Sequence, residues 1–167
     1  MVGDDRPQTM VHRYIQDDSC GGERMSDTTI REARPSDSAD VARLITQLGY
    51  PSSENEIAQR LTALSRLPEH ATFVAELDGR VVGLVGAYMD YALEINGSYG
   101  RLMGLVVDES FRGRGVGKRL LEWIEGWLRD RGATRLTLTS GKQRTEAHKF
   151  YRRLGYDETG LRFAKHL

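Results

Sequence analysis

One cysteine in 167 residues, Cys20, leaves no partner for an intrachain disulfide, and the N-terminus lacks the apolar stretch that marks a secretory signal. A cytoplasmic protein is expected. Net charge is missing too, because 24 Lys and Arg balance 24 Asp and Glu. A neutral chain has no general attraction for phosphate polymers or anionic bilayers, so neither a nucleic acid nor a membrane is expected as a partner. The longest apolar run, Val81 to Met89, is interrupted by Gly83 and Gly86 and falls far short of the ~20 residues of a membrane span. It reads as a strand. His12, His70, His148 and His166 show no metal-ligand spacing, and without a second cysteine no structural metal is expected. Internal repeats and low-complexity tracts are absent from the sequence.

What is present suffices for one domain. Hydrophobic residues at 39% together with 18 glycines make up about half the chain, close to the ~45–50% of soluble domains. Residues 1–27 carry Asp, Arg, Gln, Ser and Gly without apolar periodicity and are expected to form a disordered tail, with Met25 as an alternative start. The domain is expected over 28–167. Thr28 to Arg31 is a short strand candidate. Val41, Leu44, Ile45 and Leu48 then form a helical stripe behind Ser36 and Asp37 as caps. Ser53-Glu54-Asn55-Glu56 is a capping box opening a second helix with Ile57, Leu61 and Leu64 on one face, closed by Pro68. Phe73–Leu77 and Arg80–Tyr88 are strands joined by the hairpin signal Asp78-Gly79. After Asn96-Gly97, Leu102–Val107 is a strand that runs through a glycine loop into a long helix bearing Val116, Leu120, Leu121, Ile124 and Leu128. Arg135–Thr139 gives another strand. Ala147, Phe150, Tyr151 and Leu154 give a helix ended by Gly155, and a final strand pair is expected from Tyr156 to Lys165.

The glycine loop is the chemically informative segment. A turn from strand directly into helix presents free backbone N–H groups and the positive end of the helix dipole, and can hold an anion if no side chain blocks the approach. Gly113, Gly115 and Gly117 alternate through it, and Arg112, Arg114, Lys118 and Arg119 concentrate positive charge. A pyrophosphate suits it, with side chains at Gly115 or Gly117 expected to occupy its space. The alternative is a tight connection flanked by a solvated basic face. A Walker loop is excluded because Arg119 stands where Ser or Thr must hold magnesium. The dinucleotide fingerprint is excluded by its spacing and by its position after an antiparallel hairpin.

Arg112-Gly113-Arg114-Gly115-Val116-Gly117 resembles the phosphate loop of the GNAT superfamily of acyl-CoA-dependent N-acetyltransferases, which has Gln or Arg, two residues, Gly, one residue, then Gly or Ala. A second segment fits independently: Ala147, Phe150, Tyr151, Gly155 and Tyr156 match the family's downstream helix, with Arg144 in the place of its Asn. Thr139-Ser140-Gly141 and Arg162-Phe163-Ala164-Lys165 look most like the aminoalkylphosphonate N-acetyltransferase branch, whereas Arg101 and Gly104 stand on a strand where members carry acidic residues.

The resemblance implies an α/β fold with a mixed, mostly antiparallel sheet flanked by helices. It implies that acetyl-CoA is the co-substrate and that backbone groups of Leu105, Val106 and Val107 pair with the pantetheine arm. It further implies that the N–H groups of Arg112, Gly113, Arg114, Gly115, Val116 and Gly117 hold the pyrophosphate, with Lys118, Arg144 and Ala147 completing the set. Tyr151 is implied as the general acid that protonates the departing thiolate. The expected reaction is direct acetyl transfer to a primary amine of a small molecule. The alternatives are a silent acyl-CoA-binding regulator and an acetyltransferase acting on a protein amine. Asp90 and Glu94 are the carboxylates near the expected acceptor mouth and Glu109 lies near the CoA loop, and none is singled out as the base. Trp123 and Trp127 serve core packing or a dimer contact, and a homodimer is expected.

Overall fold

The structure is a computed structural model that describes residues 28–94, 96–160 and 162–165. The expected tail, Cys20 and the Met25 start lie outside them. Five strands, β1 (Thr29–Glu32), β2 (His70–Leu77), β3 (Arg80–Tyr91), β4 (Ser98–Val107) and β5 (Ala133–Thr137), form one sheet in that order. The first three pairings are antiparallel and the last, β4 with β5, is parallel. Four helices accompany them: α1 (Ser38–Gln47), α2 (Glu54–Leu64), α3 (Val116–Asp130) and α4 (Thr145–Arg153). The expected α/β sheet with flanking helices is therefore present.

The amphipathic stripes decide which helix covers which face. Leu120, Leu121, Ile124 and Leu128 of α3 pack on Phe73, Val85, Ala87 and Leu102. On the opposite face Val41 and Leu44 of α1, with Ile57 and Leu61 of α2, pack on Val74, Leu84 and Val106. Gly83 and Gly100 let α3 come close, since a Cβ at either would stand 2.8 Å from a methyl of Leu120 or Leu128. The β2–β3 turn has positive φ at both central residues, Asp78 (50°) and Gly79 (74°), the geometry that matches strand twist. Ser53 caps α2 as expected, its hydroxyl accepting from the Glu56 amide while the Glu56 carboxylate accepts from the Ser53 amide.

Two expectations about local structure are corrected. Asp37 does not cap α1. Its carboxylate accepts from the Arg34 amide at 2.7 Å and from both terminal nitrogens of Arg31, which also pairs with Glu76. These contacts tie the entrance of α1 to β1 and β2. The final strand pair is not formed either, because the described residues of 156–165 contain no strand. Asp157, Glu158, Thr159 and Gly160 are all exposed and lack the alternation of a half-buried strand. No helix among the described residues is long and apolar enough to cross a membrane.

Candidate active site

The site begins where the sheet opens. β4 and β5 pair through Ser98 with Ala133, Gly100 with Leu136 and Arg101 with Thr137, and the pairing ends there although β4 continues to Val107. Met103 is the extra residue of a bulge, since Gly86 faces Gly104 and Ala87 faces Leu102. Bulges bend a strand and break its ladder, so β4 turns out of β5's reach at this point. Hydrogen bonding then assigns the free groups. The Asp108 amide donates to the Val82 carbonyl at 2.9 Å, and Gly83 faces Val107 in the same register. Because bonded and non-bonded pairs alternate in an antiparallel ladder, Val106 bonds to β3, whereas Leu105 and Val107 aim their N–H and C=O away from it, along the unpaired edge. The resemblance implied all three as partners of the pantetheine. The geometry leaves Leu105 and Val107 for that role and commits Val106 to the ladder. Arg112 Nε already donates to the Val107 carbonyl at 3.1 Å.

The open edge leads into the glycine loop. Gly113 (φ 75°) and Gly115 (φ 79°) adopt left-handed conformations that favour glycine, and open space lies where a Cβ on Gly113 would stand. Gly115 is the N-cap of α3. It offers no side chain to the first helical amides, and no acidic residue sits in the first turn. The N–H groups that open α3 and the positive end of its dipole are thus left without an intramolecular partner of the usual kind. A side chain at Gly117 would run into Phe150 and the Val107 side chain, each 3.5 Å from its Cβ, rather than into the space expected for the pyrophosphate, while its N–H is among those that open α3.

The basic residues divide by position. Arg114 lies 5.3 Å from the centre of the Phe111 ring. Lys118 is exposed and 3.6 Å from Glu122. Arg119 turns away to donate to the Thr28 carbonyl at 3.0 Å, which makes it an anchor for the start of β1. Asp108, which sequence reasoning passed over, is the hidden support of the loop. It is 2% exposed, accepts from the Ser110 amide at 3.0 Å, and is ion-paired with Arg43 of α1 and, at 3.3 Å, with Arg80 of β3. Burial pushes its carboxyl up, but the Ser110 amide and the two guanidinium groups outweigh it and hold the group below the usual carboxylate range. The signal available in the sequence was an aspartate directly after a strand with Ser110 two residues on, a local side-chain turn.

Tyr151 of α4 packs on the α3-side core, edge-on to Phe150 (5.3 Å between ring centres) and Tyr156 (5.6 Å). Burial raises its phenol above the ordinary value, and the nearby Arg144 cation opposes that rise. Tyr156 donates to Glu125 at 2.5 Å, whereas the hydroxyl of Tyr151 makes no hydrogen bond among the described residues. Phe150 against Gly117 sets α4 beside the start of α3, so the two motifs meet in space. Ala147 is half-buried on the same helix. Arg144 reaches the Leu48 carbonyl at the end of α1 and thereby spans the two sides of the opened sheet. A cleft of about 1080 Å³ is walled by β5, α3, α4 and the C-terminal segment. It includes Tyr151, Ser140 and His148 but no residue of the glycine loop.

Of the three carboxylates considered as bases, Glu94 and Glu109 are exposed. Asp90 lies on the sheet and accepts from the Tyr99 hydroxyl at 3.0 Å. His70, weighed from sequence only as a metal ligand, stacks on Tyr88 at 5.1 Å with Nδ1 buried and unpartnered. Trp123 meets Phe73 edge-on at 6.2 Å and Trp127 carries Arg131 over its ring at 4.1 Å; both also pack against the core. The described residues contain no group of His, Cys, Asp and Glu able to hold a metal.

Comparison with known proteins agrees with this architecture. The model of the acetyltransferase (GNAT) family matches residues 39–156. The aminoalkylphosphonate N-acetyltransferase of Salmonella typhimurium is 31% identical over 139 residues, which is 83% of this chain and 90% of that protein. The aminoglycoside N(6')-acetyltransferase type 1 of Stenotrophomonas maltophilia is 34% identical over 138 residues, covering 78% and 87%. A GNAT family acetyltransferase from Staphylococcus aureus superposes with a TM-score of 0.73 at 27% identity, covering 84% of this chain and 99% of that one. An aminoglycoside N-acetyltransferase solved with CoA shares the fold with a TM-score of 0.76 at 23% identity, over 87% and 98%. The chain belongs to the GNAT acetyltransferase family, enzymes that use acetyl-CoA as acetyl donor.

Proposed function

We propose that this enzyme transfers the acetyl group of acetyl-CoA to a primary amine of a small molecule by direct attack, at the opening between β4 and β5. One observation carries the reading: an unpaired strand edge, Leu105 and Val107, is followed, after a short 3-10 turn at Glu109–Phe111 and the glycine loop, by a helix N-terminus without a side-chain cap. An extended arm with amide groups can add to that edge as a strand would, and the phosphates at its far end then arrive at the Gly113–Gly117 amides. Tyr151, with no protein partner for its hydroxyl, can supply the proton that the departing thiolate needs as the tetrahedral adduct collapses. Arg112 would release the Val107 carbonyl to the incoming arm and turn to the phosphates, while Arg114, Lys118, Arg144 and Ala147 border the same path.

Support for a small acceptor comes from relatives whose names give an aminoalkylphosphonate and an aminoglycoside. These acceptors differ in chemistry, so the names leave the acceptor open. The proposal places the domain over 28–167, because β1 pairs with β2 upstream of residue 39, and sets it in the cytoplasm, which a lone Cys20 suits. It also includes a homodimer, to be checked by light scattering, for which exposed Tyr91 and Leu93 offer apolar surface.

The test is acetyl-CoA binding by calorimetry in the wild type and in Gly113→Val. A valine strains a left-handed position and fills the open space over the amides, so the affinity should fall at least tenfold while the circular dichroism spectrum is kept. Unchanged affinity in a folded Gly113→Val protein would remove the loop from the donor site.

A further inference from the structure

On the sheet face opposite α3, α1 and α2 cover only the end bearing Leu84 and Val106. Beyond them the residues on this face follow from strand alternation. Ala71, Ala87, Met89 and Leu102 pack toward α3, and Gly100 faces Leu128 there. His70 and Thr72, Tyr88 and Asp90, and Tyr99 and Arg101 therefore stand on the opposite face. Gly86 and Gly104 contribute no side chain to this face, and Leu48 at the end of α1 borders it, 3.7 Å from where a Cβ of Gly104 would be.

The polar groups of this face are not equally engaged. Asp90 accepts from the Tyr99 hydroxyl at 3.0 Å and from the Tyr91 amide at 2.8 Å. Arg101 is half-buried yet makes no hydrogen bond and no ion pair among the described residues. Other partly buried arginines of the fold are committed: Arg31 to Asp37 and Glu76, Arg43 to Asp108, and Arg144 to the Leu48 carbonyl. Five guanidinium donors left without protein partners in a half-buried place call for an acceptor from outside. Position adds to this. Arg101 opposite Thr137 is the last rung before β4 and β5 part, so its side chain stands at the edge of the opening where acetyl transfer is placed. The buried, unpartnered Nδ1 of His70 belongs to the same face.

We infer that Arg101 selects the acceptor: its guanidinium takes an anionic group on the substrate, and the amine, a short chain away, reaches the opening. This rests on the acetyltransferase reading and names its substrate class as a small primary amine carrying a carboxylate or a phosphonate. Both present paired oxygens that suit the planar fork of an arginine. A polycationic amine would bring like charge onto Arg101.

The test compares kcat/KM for β-alanine, 2-aminoethylphosphonate, propylamine and kanamycin in the wild type, Arg101→Ala and Arg101→Lys. Acetyl-CoA affinity is measured alongside by calorimetry. The wild type should prefer at least one anionic amine over propylamine, and whichever of the two is faster identifies the anion. A charge-assisted pair sets the size of the effect, so Arg101→Ala should reduce that preference roughly 10- to 100-fold, with Arg101→Lys between. The ratio of two substrates on one protein is insensitive to partial misfolding. Wild-type preference for propylamine or kanamycin, or an unchanged ratio in Arg101→Ala, would overturn the inference while acetyl-CoA binding left the enzyme reading standing. Failure of the wild type to bind acetyl-CoA would overturn both.

Discussion

Replacing Asp108 with Asn keeps the shape of the side chain and deletes its charge, at a group that is 2% exposed and holds α1, β3 and the glycine loop together. Removing one partner of a fully buried ion pair costs about 3–5 kcal/mol. Here Arg43 and Arg80 are 29% and 53% exposed and can regain water. The Asn carbonyl can also still accept from the Ser110 amide. A loss of about 1–2 kcal/mol follows, or a fall in melting temperature of roughly 3–8 °C for a domain of this size. Because Asp108 forms the entry to the loop, the variant should also raise KM for acetyl-CoA more than it lowers kcat. The pH dependence gives the sharper check. The folded carboxyl titrates below the ordinary range, so its contribution is complete above the unfolded value of ~3.9 and disappears as pH falls through the lower folded value. The melting-temperature gap between wild type and Asp108→Asn, followed by differential scanning calorimetry, should hold from pH 7 to about 5 and close as pH drops below about 4. A gap that stays constant down to pH 2, or no gap at pH 7, would refute the ion-pair argument.

Tyr151→Phe should lower kcat by roughly 10²–10⁴-fold with KM for acetyl-CoA nearly unchanged, because it removes a proton and little volume. Burial raises the phenol, so the wild type should keep its acid form to a pH above the ordinary ~10 and lose activity only beyond it. Wild-type kcat in the Phe variant, measured where chemistry limits turnover, would return Tyr151 to a packing role. Gly100→Ala drives a methyl to 2.8 Å from one Leu128 methyl and 3.1 Å from its Cγ, in a core position where Leu128 is 2% exposed. It should destabilise by about 1–3 kcal/mol in urea unfolding, and an unchanged midpoint would show that α3 stands off the sheet.

Elements fixed by neighbours in the chain were legible. The Asp78-Gly79 turn needs two positive φ angles and has residues that tolerate them, and the Ser53 capping box uses groups three residues apart. The α3 stripe needs only its own period of 3.6. Elements whose fate depends on distant partners were not legible. Asp37 carries the letters of a cap, yet Arg31 and the Arg34 amide compete for it and win. The segment after Tyr156 is polar and exposed, and it has no strand to pair with. The parallel β4–β5 pairing, and above all its early end, depends on a one-residue bulge at Met103 that no periodicity announces.

The donor site divides along the same line, and the division changes what is expected to hold a phosphate there. Alternating glycines after a strand are local; Gly113 and Gly115 take the left-handed conformation that favours glycine, and open space lies over Gly113. The basic cluster looked in sequence like the stronger attraction, but tertiary contacts draw on it. Arg119 is spent on the Thr28 carbonyl, Lys118 lies near Glu122, Arg112 is bonded to Val107, and Arg114 lies by Phe111. Each of the last three must give up a contact to meet an anion, whereas the amides that open α3 give up nothing. Fixed donors that need no rearrangement hold an anion at less cost than mobile cations that do. The pyrophosphate is therefore expected to be held chiefly by backbone. That is why the conformation of Gly113 and Gly115, and the buried Asp108 that sets the approach to them, matter more here than the charge count of the loop.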